Sequence, residues 1–542
     1  MENVDGMTRR SNTRTPWLFA AAALALAPLA TPVLAQEPPT PAPDDPYVVG
    51  TAAPPIEGGR PLVSMTLEDA IATALENNLD IQSARLNPQI QRLTLDIAET
   101  AFDPSFNSSL SYNNATNQST SQLDGGTRTT TERNTLNFSV SQPLPWYGAS
   151  LSTSFNNART STDNVFATRN PSYSSSFSLN FSQPLLQGRR IDNTRNQLRT
   201  QEVQREITDV QLRNQADNLS NQVRVAYWNL RSQIEQIEIQ RRSLAQAEQL
   251  LANNRVRVEL GTMVEMELAQ AEVQVANAEQ ALLNAEIQWR QQELAFKRLL
   301  ASGADDAIFA QTINPVDLPE LDPVEPEVDI EAAIARALQF RPDLRAQDKQ
   351  RQIAEMNLEV TQENTRPNLN LNASYSLSGV GGNRFDRSGL GGEPQLVETG
   401  GYMDGLQSIL NFDTPTFNVS VNFSYPLGMR SARANLERAR LQLRQSELSL
   451  QSQQLQIETE VTNAGLAVTN TFLQLAAARR SREAAERSVE AELTRFQVGA
   501  STNFQVVNAQ DNLTSARLSE LRAVINHINA VAEFERVQGI QP

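Results

Sequence analysis

The sequence predicts a coiled-coil helical part joined to a transmembrane β-barrel, with the whole plan stated twice. Three observations carry this. The stretch LEDAIATALENNLDI from Leu67 is restated as IEAAIARALQFRPDL from Ile330. Several short stretches alternate apolar and small polar residues with period two, and long stretches almost free of Gly and Pro carry apolar residues with period seven.

At the N-terminus, Arg9, Arg10 and Arg14 precede an apolar run from Trp17 to Leu29, and VLA closes at Ala35. This is the layout of an export signal over residues 1–35, so the mature chain is expected to start at Gln36. The run is too short to span a bilayer, and no other stretch approaches the ~20 apolar residues that a spanning helix needs. Any membrane-embedded part is therefore built of strands. Residues 36–64, rich in Pro and acidic side chains, are expected to form a flexible tether.

Composition excludes much chemistry. The 542 residues carry a formal net charge of -16, no cysteine and a single histidine. Without cysteine there is no disulfide, thiol nucleophile, Cys/His metal cluster or lipid anchor on an N-terminal Cys. An acidic chain is a poor partner for nucleic acid, whose phosphates must be neutralised by Lys and Arg. His527 lies in a helical stretch and reads as a helix-face residue. With no phosphate-binding Gly-rich loop or cofactor motif, no catalytic residue, cofactor or metal is assigned.

The duplication pairs residues without a gap from Met65/Val328 to Tyr112/Tyr375, through Ala70/Ala333, Leu75/Leu338, Asp80/Asp343 and Pro104/Pro367. It divides the chain into a first repeat over 65–302, a linker over 303–327 and a second repeat over 328–539.

Within each repeat, strands are read from alternation. In TFNVSVNFSYPL, Phe417, Val419, Val421, Phe423 and Tyr425 share one face, and Asn418, Ser420, Asn422 and Ser424 the other. LNLNASYSL from Leu369 follows suit, as do FNSSLSY from Phe106, LNFSVS from Leu136, LSTSF from Leu151 and FSLNFS from Phe177. A soluble β-sandwich with one wet face would alternate too. The uniform Ser/Asn face, the aromatics near strand ends and the export signal favour an outer-membrane barrel with a polar lumen.

The helical stretches follow. Residues 190–260, 262–302 and 500–538 contain neither Gly nor Pro, and 430–498 contain only Gly465. At 1.5 Å per residue, the longest reaches roughly 100 Å. Val223, Leu230, Ile237, Leu244, Leu251 and Val258 fall on one heptad position, as do Val461, Val468, Leu475, Val489 and Phe496, with Arg482 as the one break. A sustained heptad means left-handed coiled-coil packing. Prolines mark the junctions: Pro104 and Pro367 where helix meets strand, Pro184 and Pro426 where strand gives way to long helix. The hairpins repeat as well, RVELGT from Arg257 matching RFQVGA from Arg495, with a turn glycine at Gly261 and Gly499.

In order and duplication these motifs resemble the TolC-type outer-membrane efflux proteins, over essentially the whole chain from Thr66 to Gly539. The resemblance rests on the two LEDA/IEAA stretches, the QPLL and YPLG junctions, AYWNL at Ala226 and the Gly261 and Gly499 hairpins. It implies a homotrimeric α/β-barrel channel, in which strands of three chains close one barrel in outer-membrane lipid and helices continue as an all-α coiled-coil barrel through the periplasm. The strands agree independently, since a handful per chain cannot close a barrel and open edges must pair with another copy. The implied function is passive export of substrates in tripartite efflux or type I secretion, with a periplasmic adaptor and an inner-membrane pump of RND, ABC or similar type as partners. The periplasmic adaptor itself is the alternative, although it would have one hairpin and a soluble β-domain.

By the same resemblance, the adaptor contacts are Arg257, Leu260, Gly261 and Thr262 at one tip, and Arg495, Val498, Gly499 and Ala500 at the other. The narrowest point lies just past the second tip, where some members of the family place acidic rings. Here Ser501, Gln505 and Asn508 stand there instead, Asp511 is the nearest carboxylate, and Glu265 and Glu267 on the first hairpin become the aperture candidates. Solvated helix-face charge is the competing reading of both glutamates. A second departure concerns the strands: four alternating segments lie between Phe106 and Leu186, where the family norm is two. With PLPWYGA from Pro143 as a tight turn, this predicts six strands per chain and 18 in a trimer, against 12 if the segments form one long irregular hairpin.

Overall fold

The computed structural model describes residues 51–55, 59–119, 126–319, 324–389 and 392–540; the export signal and the start at Gln36 lie outside them. The first half runs β1 (Leu62–Met65), α1 (Leu67–Asn77), α2 (Leu79–Glu99), β2 (Ser105–Gln118), β3 (Arg128–Pro143), β4 (Ser150–Thr162), β5 (Ser172–Pro184), α3 (Asn193–Glu259) and α4 (Glu265–Leu300). After β6 (Thr312–Pro315), the second half runs α5 (Ile330–Phe340), α6 (Pro342–Glu363), β7 (Asn368–Gly381), β8 (Arg384–Asp386), β9 (Gln395–Glu398), α7 (Tyr402–Leu410), β10 (Pro415–Ser424), α8 (Arg430–Gln497) and α9 (Asn503–Val537). The opening helices of the halves start alike: Thr66 caps α1 through the Asp69 N–H, and Asp329 caps α5 through the Ala332 N–H.

Burial follows the heptad along its line on α8 and through the first half of its line on α3, whose Leu244, Leu251 and Val258 are only half-buried. Val223, Leu230 and Ile237 of α3 are fully buried, and Val461, Val468, Leu475, Val489 and Phe496 of α8 are buried as well. Arg482 interrupts the second line but is held by Glu520 of α9 and Glu486, each at 2.7 Å. Burial works against the Arg482 charge, yet the two carboxylates outweigh it and raise its pKa. His527 is buried rather than solvent-facing: its Nδ1 lies 3.2 Å from Thr471 Oγ1 across the α8–α9 contact.

α3 packs against α2, α4, α6 and α9, whereas α8 packs against α5, α6 and α9. Apolar stripes are left open on two flanks. Leu79, Leu86, Ile90, Leu93 and Ile97 are exposed on α2, and Met266, Val273, Ile287 and Leu294 on α4. On α8 the open stripe is Leu441, Leu448, Leu455, Leu466 and Leu473.

A belt of structure joins the halves at mid-shaft. β1 pairs in parallel with β6, from Leu62 opposite Thr312 to Met65 opposite Pro315. The Tyr227 hydroxyl contacts the Met65 carbonyl at 3.1 Å and Asp317 at 2.9 Å, over a core of Trp289, Phe296, Leu230 and Ile234. Within the expected tether over 36–64, the Ala52 N–H donates to the buried Glu235 carboxylate, and β1 forms a strand at Leu62–Met65. The stretch 303–327 is more than a linker, since β6 inserts Ile313, fully buried, into the core.

Six strands form one antiparallel sheet in the order β10-β7-β5-β4-β3-β2. The first half thus contributes four of them, and the turn before β4 closes with the Leu144 N–H donating to the Ala149 carbonyl. Pro104 and Pro367 stand just before β2 and β7; Pro184 ends β5, and Pro426 follows β10. Registers align whole rows across the sheet. One row on one face reads Phe417, Tyr375, Leu179, Thr153, Val140, Phe106; its neighbour on the other face reads Asn418, Ser374, Asn180, Ser152, Ser141, Ser105. The polar face satisfies itself by contacts such as Ser154 to Ser178 at 2.7 Å and Ser111 to Thr135 at 2.6 Å. Among the described residues no helix is long and apolar enough to cross a membrane.

Candidate functional site

Both hairpins end in the same backbone device. At the first, the Gly261 N–H donates to the Val258 carbonyl and the Thr262 N–H to the Arg257 carbonyl, each at 2.9 Å. At the second, Gly499 donates to Phe496 at 3.2 Å and Ala500 to Arg495 at 2.8 Å. This closure needs a left-handed residue after the helix, which glycine adopts without a Cβ penalty; φ is 70° at Gly261 and 76° at Gly499. Each arginine thus supplies the carbonyl that stops its own helix.

The side chains differ between the tips. Arg257 lies 4.6 Å over the Phe496 ring, a cation–π contact that binds the first hairpin to the second. Arg495 instead reaches Glu492 at 3.6 Å and stays exposed. Beneath them Leu250, Phe496 and Val506 are buried with Met263, Leu493 and Val507 packed around them. Asn254, fully buried on α3, donates to the Asn503 side chain at 2.8 Å, and Asn503 donates to the Glu267 carbonyl at 3.5 Å. Sequence reading missed both asparagines. One signal existed: Asn254 stands three residues after Leu251, at the other core position of the heptad, where an apolar side chain is expected.

The aperture candidates fall into two groups. Glu265 and Glu267 occupy the first turn of α4, where a carboxylate also favours the helix N-terminus. Gln505 accepts from Ser501 at 2.8 Å and helps to cap α9, and Asn508 is exposed. Asp511 accepts from Gln274 of α4 at 2.7 Å, another link between hairpins. Around the turns, Leu260, Val264, Met266, Val498 and Phe504 are exposed, an apolar rim on an otherwise polar shaft end.

Two hairpins with coupled tips, joined to a six-stranded amphipathic sheet, do not fit the one-hairpin adaptor plan. The sequence matches the outer membrane efflux protein family over residues 149–302 and 333–539, more than half of the chain. The chain belongs to the outer membrane efflux protein family.

Solved structures agree on the fold. The outer-membrane channel OprN superposes with a TM-score of 0.63 at 17% identity, covering 93% of this chain and 99% of its own. The outer-membrane channel CmeC of Campylobacter jejuni gives 0.61 at 16%, covering 87% and 85%, and VceC of Vibrio cholerae gives 0.61 at 13%, covering 88% and 97%. No match is found among curated proteins. As a member of this family the protein is an outer-membrane efflux channel with a periplasmic extension, and a transporter rather than an enzyme.

Proposed function

We propose that three copies close into one passive duct, an 18-stranded barrel continued by a coiled-coil tunnel, that receives substrates from an inner-membrane pump through a periplasmic adaptor. The observation that carries this reading is that the unpaired features lie on two opposite flanks. β2 and α2 with α4 form one flank; β10 and α8 form the other. β2 and β10 are exposed almost throughout, including Phe106, Leu110, Phe417 and Phe423. Each exposed leucine of the helix stripes would gain about 1.5–3 kcal/mol on burial, so open stripes of this length favour a partner with the same periodicity. An even strand number leaves β2 and β10 running in opposite directions, so β10 of one copy can pair antiparallel with β2 of the next.

In this arrangement the tips carrying Arg257, Leu260, Gly261 and Thr262, and Arg495, Val498, Gly499 and Ala500, meet the adaptor through their apolar rim. Glu265 and Glu267 supply acidic charge at the aperture, with Gln505, Asn508 and Asp511 behind them. Adaptor binding would open the gate by favouring one of two tip states, a population shift with the energy supplied by the pump.

Imaging of particles extracted from outer-membrane fractions tests the whole reading. Three-fold symmetry, 18 strands and a shaft of roughly 100 Å are expected from helices of this length. A ring of 12 strands, or a particle without a barrel, would overturn it. At the aperture, Glu267→Ala is expected to lower single-channel cation preference in planar bilayers; unchanged selectivity would return Glu267 to the role of a helix-terminal charge. Photo-crosslinkers placed at Leu260 and Val498 are expected to capture the adaptor.

A further inference from the structure

α7 has no counterpart in the duplicated plan. It sits on β5 and β7, on the face of the sheet that carries Leu377, Tyr375 and Phe177 rather than the Ser/Asn face. Glycines on both sides permit the approach. A Cβ on Gly379 would stand 1.9 Å from the Gly405 carbonyl oxygen, and one on Gly381 would stand 2.0 Å from that of Gly401. Under the helix lie Asn157 and Ser175, polar side chains on the face that carries Leu377 and Phe177, 6% and 2% exposed. Ser175 and the Tyr402 hydroxyl of α7 both donate to Asn157 Oδ1 at 2.8 Å, and Asn157 donates to the Leu136 carbonyl at 3.3 Å. α7 therefore covers and satisfies two polar side chains at that end of the face.

Its open side carries apolar side chains beside the exposed Asp404 and Gln407: Met403 is 69% exposed, Leu410 76% and, just beyond the helix, Phe412 60%. The position along the strand is informative. From Leu369 to Leu377 of β7 is about 27 Å at 3.4 Å per residue, or about 21 Å along the membrane normal at a tilt near 40°, close to the ~25 Å apolar band of such barrels. Gly379 and Gly381 lie just beyond Leu377, at the end of the strand away from α6 and α8. We propose that α7 is an interfacial helix, lying on the outside of the barrel at the far rim with Met403, Leu410 and Phe412 in the headgroup–acyl boundary of the lipid. A short helix whose open side mixes large apolar residues with an acid and an amide suits that boundary, where apolar and polar groups meet. The inference rests on the reading of the apolar sheet face as lipid-facing, with which α7 is continuous.

The chain has no cysteine, so single-cysteine variants report one site each. Full-length mature protein carrying Leu410→Cys, Met403→Cys, Leu179→Cys or Asn180→Cys would be labelled with bimane and reconstituted in phosphatidylethanolamine/phosphatidylglycerol vesicles. Lipids spin-labelled at the headgroup or deep in the chain then serve as quenchers. Labels at 410 and 403 are expected to lose most of their fluorescence to the headgroup quencher, the label at 179 to the deep quencher, and the label at 180 to neither. Quenching at 179 without quenching at 403 and 410 would overturn the interfacial helix and leave the barrel intact. Crosslinking of 410 to a second copy would do the same, assigning the cover to a neighbouring chain. No lipid quenching at 179 would overturn the lipid-facing sheet and this inference with it.

Discussion

α3 and α8 are near-twins, 67 and 68 residues long, each with a buried heptad line and an arginine-glycine stop. Their surroundings are not alike. α3 is hemmed in by helices on both flanks, and among the described residues it exposes only Val256 of its large apolar side chains, near the tip. α8 has helical neighbours on one flank and a row of exposed leucines on the other. Duplication supplied two equivalent helices, and position made one interior and the other a border. A heptad leucine such as Leu448 and one such as Leu230 read identically in the sequence; only the neighbours decide which is covered within one chain.

The largest way to break this comparison is at the border. Leu448→Glu combined with Leu455→Glu should abolish the oligomer while far-ultraviolet circular dichroism keeps its helical signal; a complex of unchanged mass in native mass spectrometry would mean that the stripe on α8 is not a seam. Next comes the interior. Ile237→Ala should cost the protomer about 2–5 kcal/mol through its cavity, visible as a lower denaturation midpoint without a change in subunit number.

A smaller effect is expected at the heptad break. Arg482→Ala removes the 2.7 Å partner of the buried Glu520 and leaves Arg479 at 3.6 Å, a loss of about 1–3 kcal/mol for an under-satisfied buried group. Replacing Arg482 and Glu520 together by leucine should recover most of that loss, as apolar substitutes for buried ion pairs often do. The smallest effect is one of pH. Burial tends to raise the Asp343 pKa, but the Arg341 guanidinium beside it outweighs this and holds the carboxyl below its usual value. Because the folded value is depressed, this group's contribution is complete above the ordinary aspartate range near 4 and fades as the pH falls through the folded value. Stability measured from pH 7 down to pH 3 should therefore drop more steeply in the native protein than in Asp343→Asn.

Much of the architecture was legible because periodicity is local. Period seven from Val223 to Val258 and period two from Phe417 to Tyr425 each state a face before any neighbour is known. The Arg257 and Arg495 stops were legible for the same reason, since glycine at a helix end has one conformational use. The cross-hairpin contacts were not, because Arg257 meets Phe496, and Asn254 meets Asn503, only after the two repeats pack side by side. β1 and β6 were also hidden: four residues of strand beside a Pro-rich stretch carry too little alternation to register. α7 escaped because a nine-residue helix that follows two glycines and contains a third looks like loop until its seat on β5 and β7 is seen.

The parity of the sheet has an evolutionary corollary. β-Hairpins add strands in pairs, so an antiparallel sheet that gains one hairpin keeps its outermost two strands pointing in opposite directions, as β2 and β10 do here. In the proposed trimer the calibre of the barrel could then change without redrawing the border between copies, and without touching the hairpin ends far along the chain from the sheet. Width and coupling become separate characters, free to be tuned by separate selective pressures.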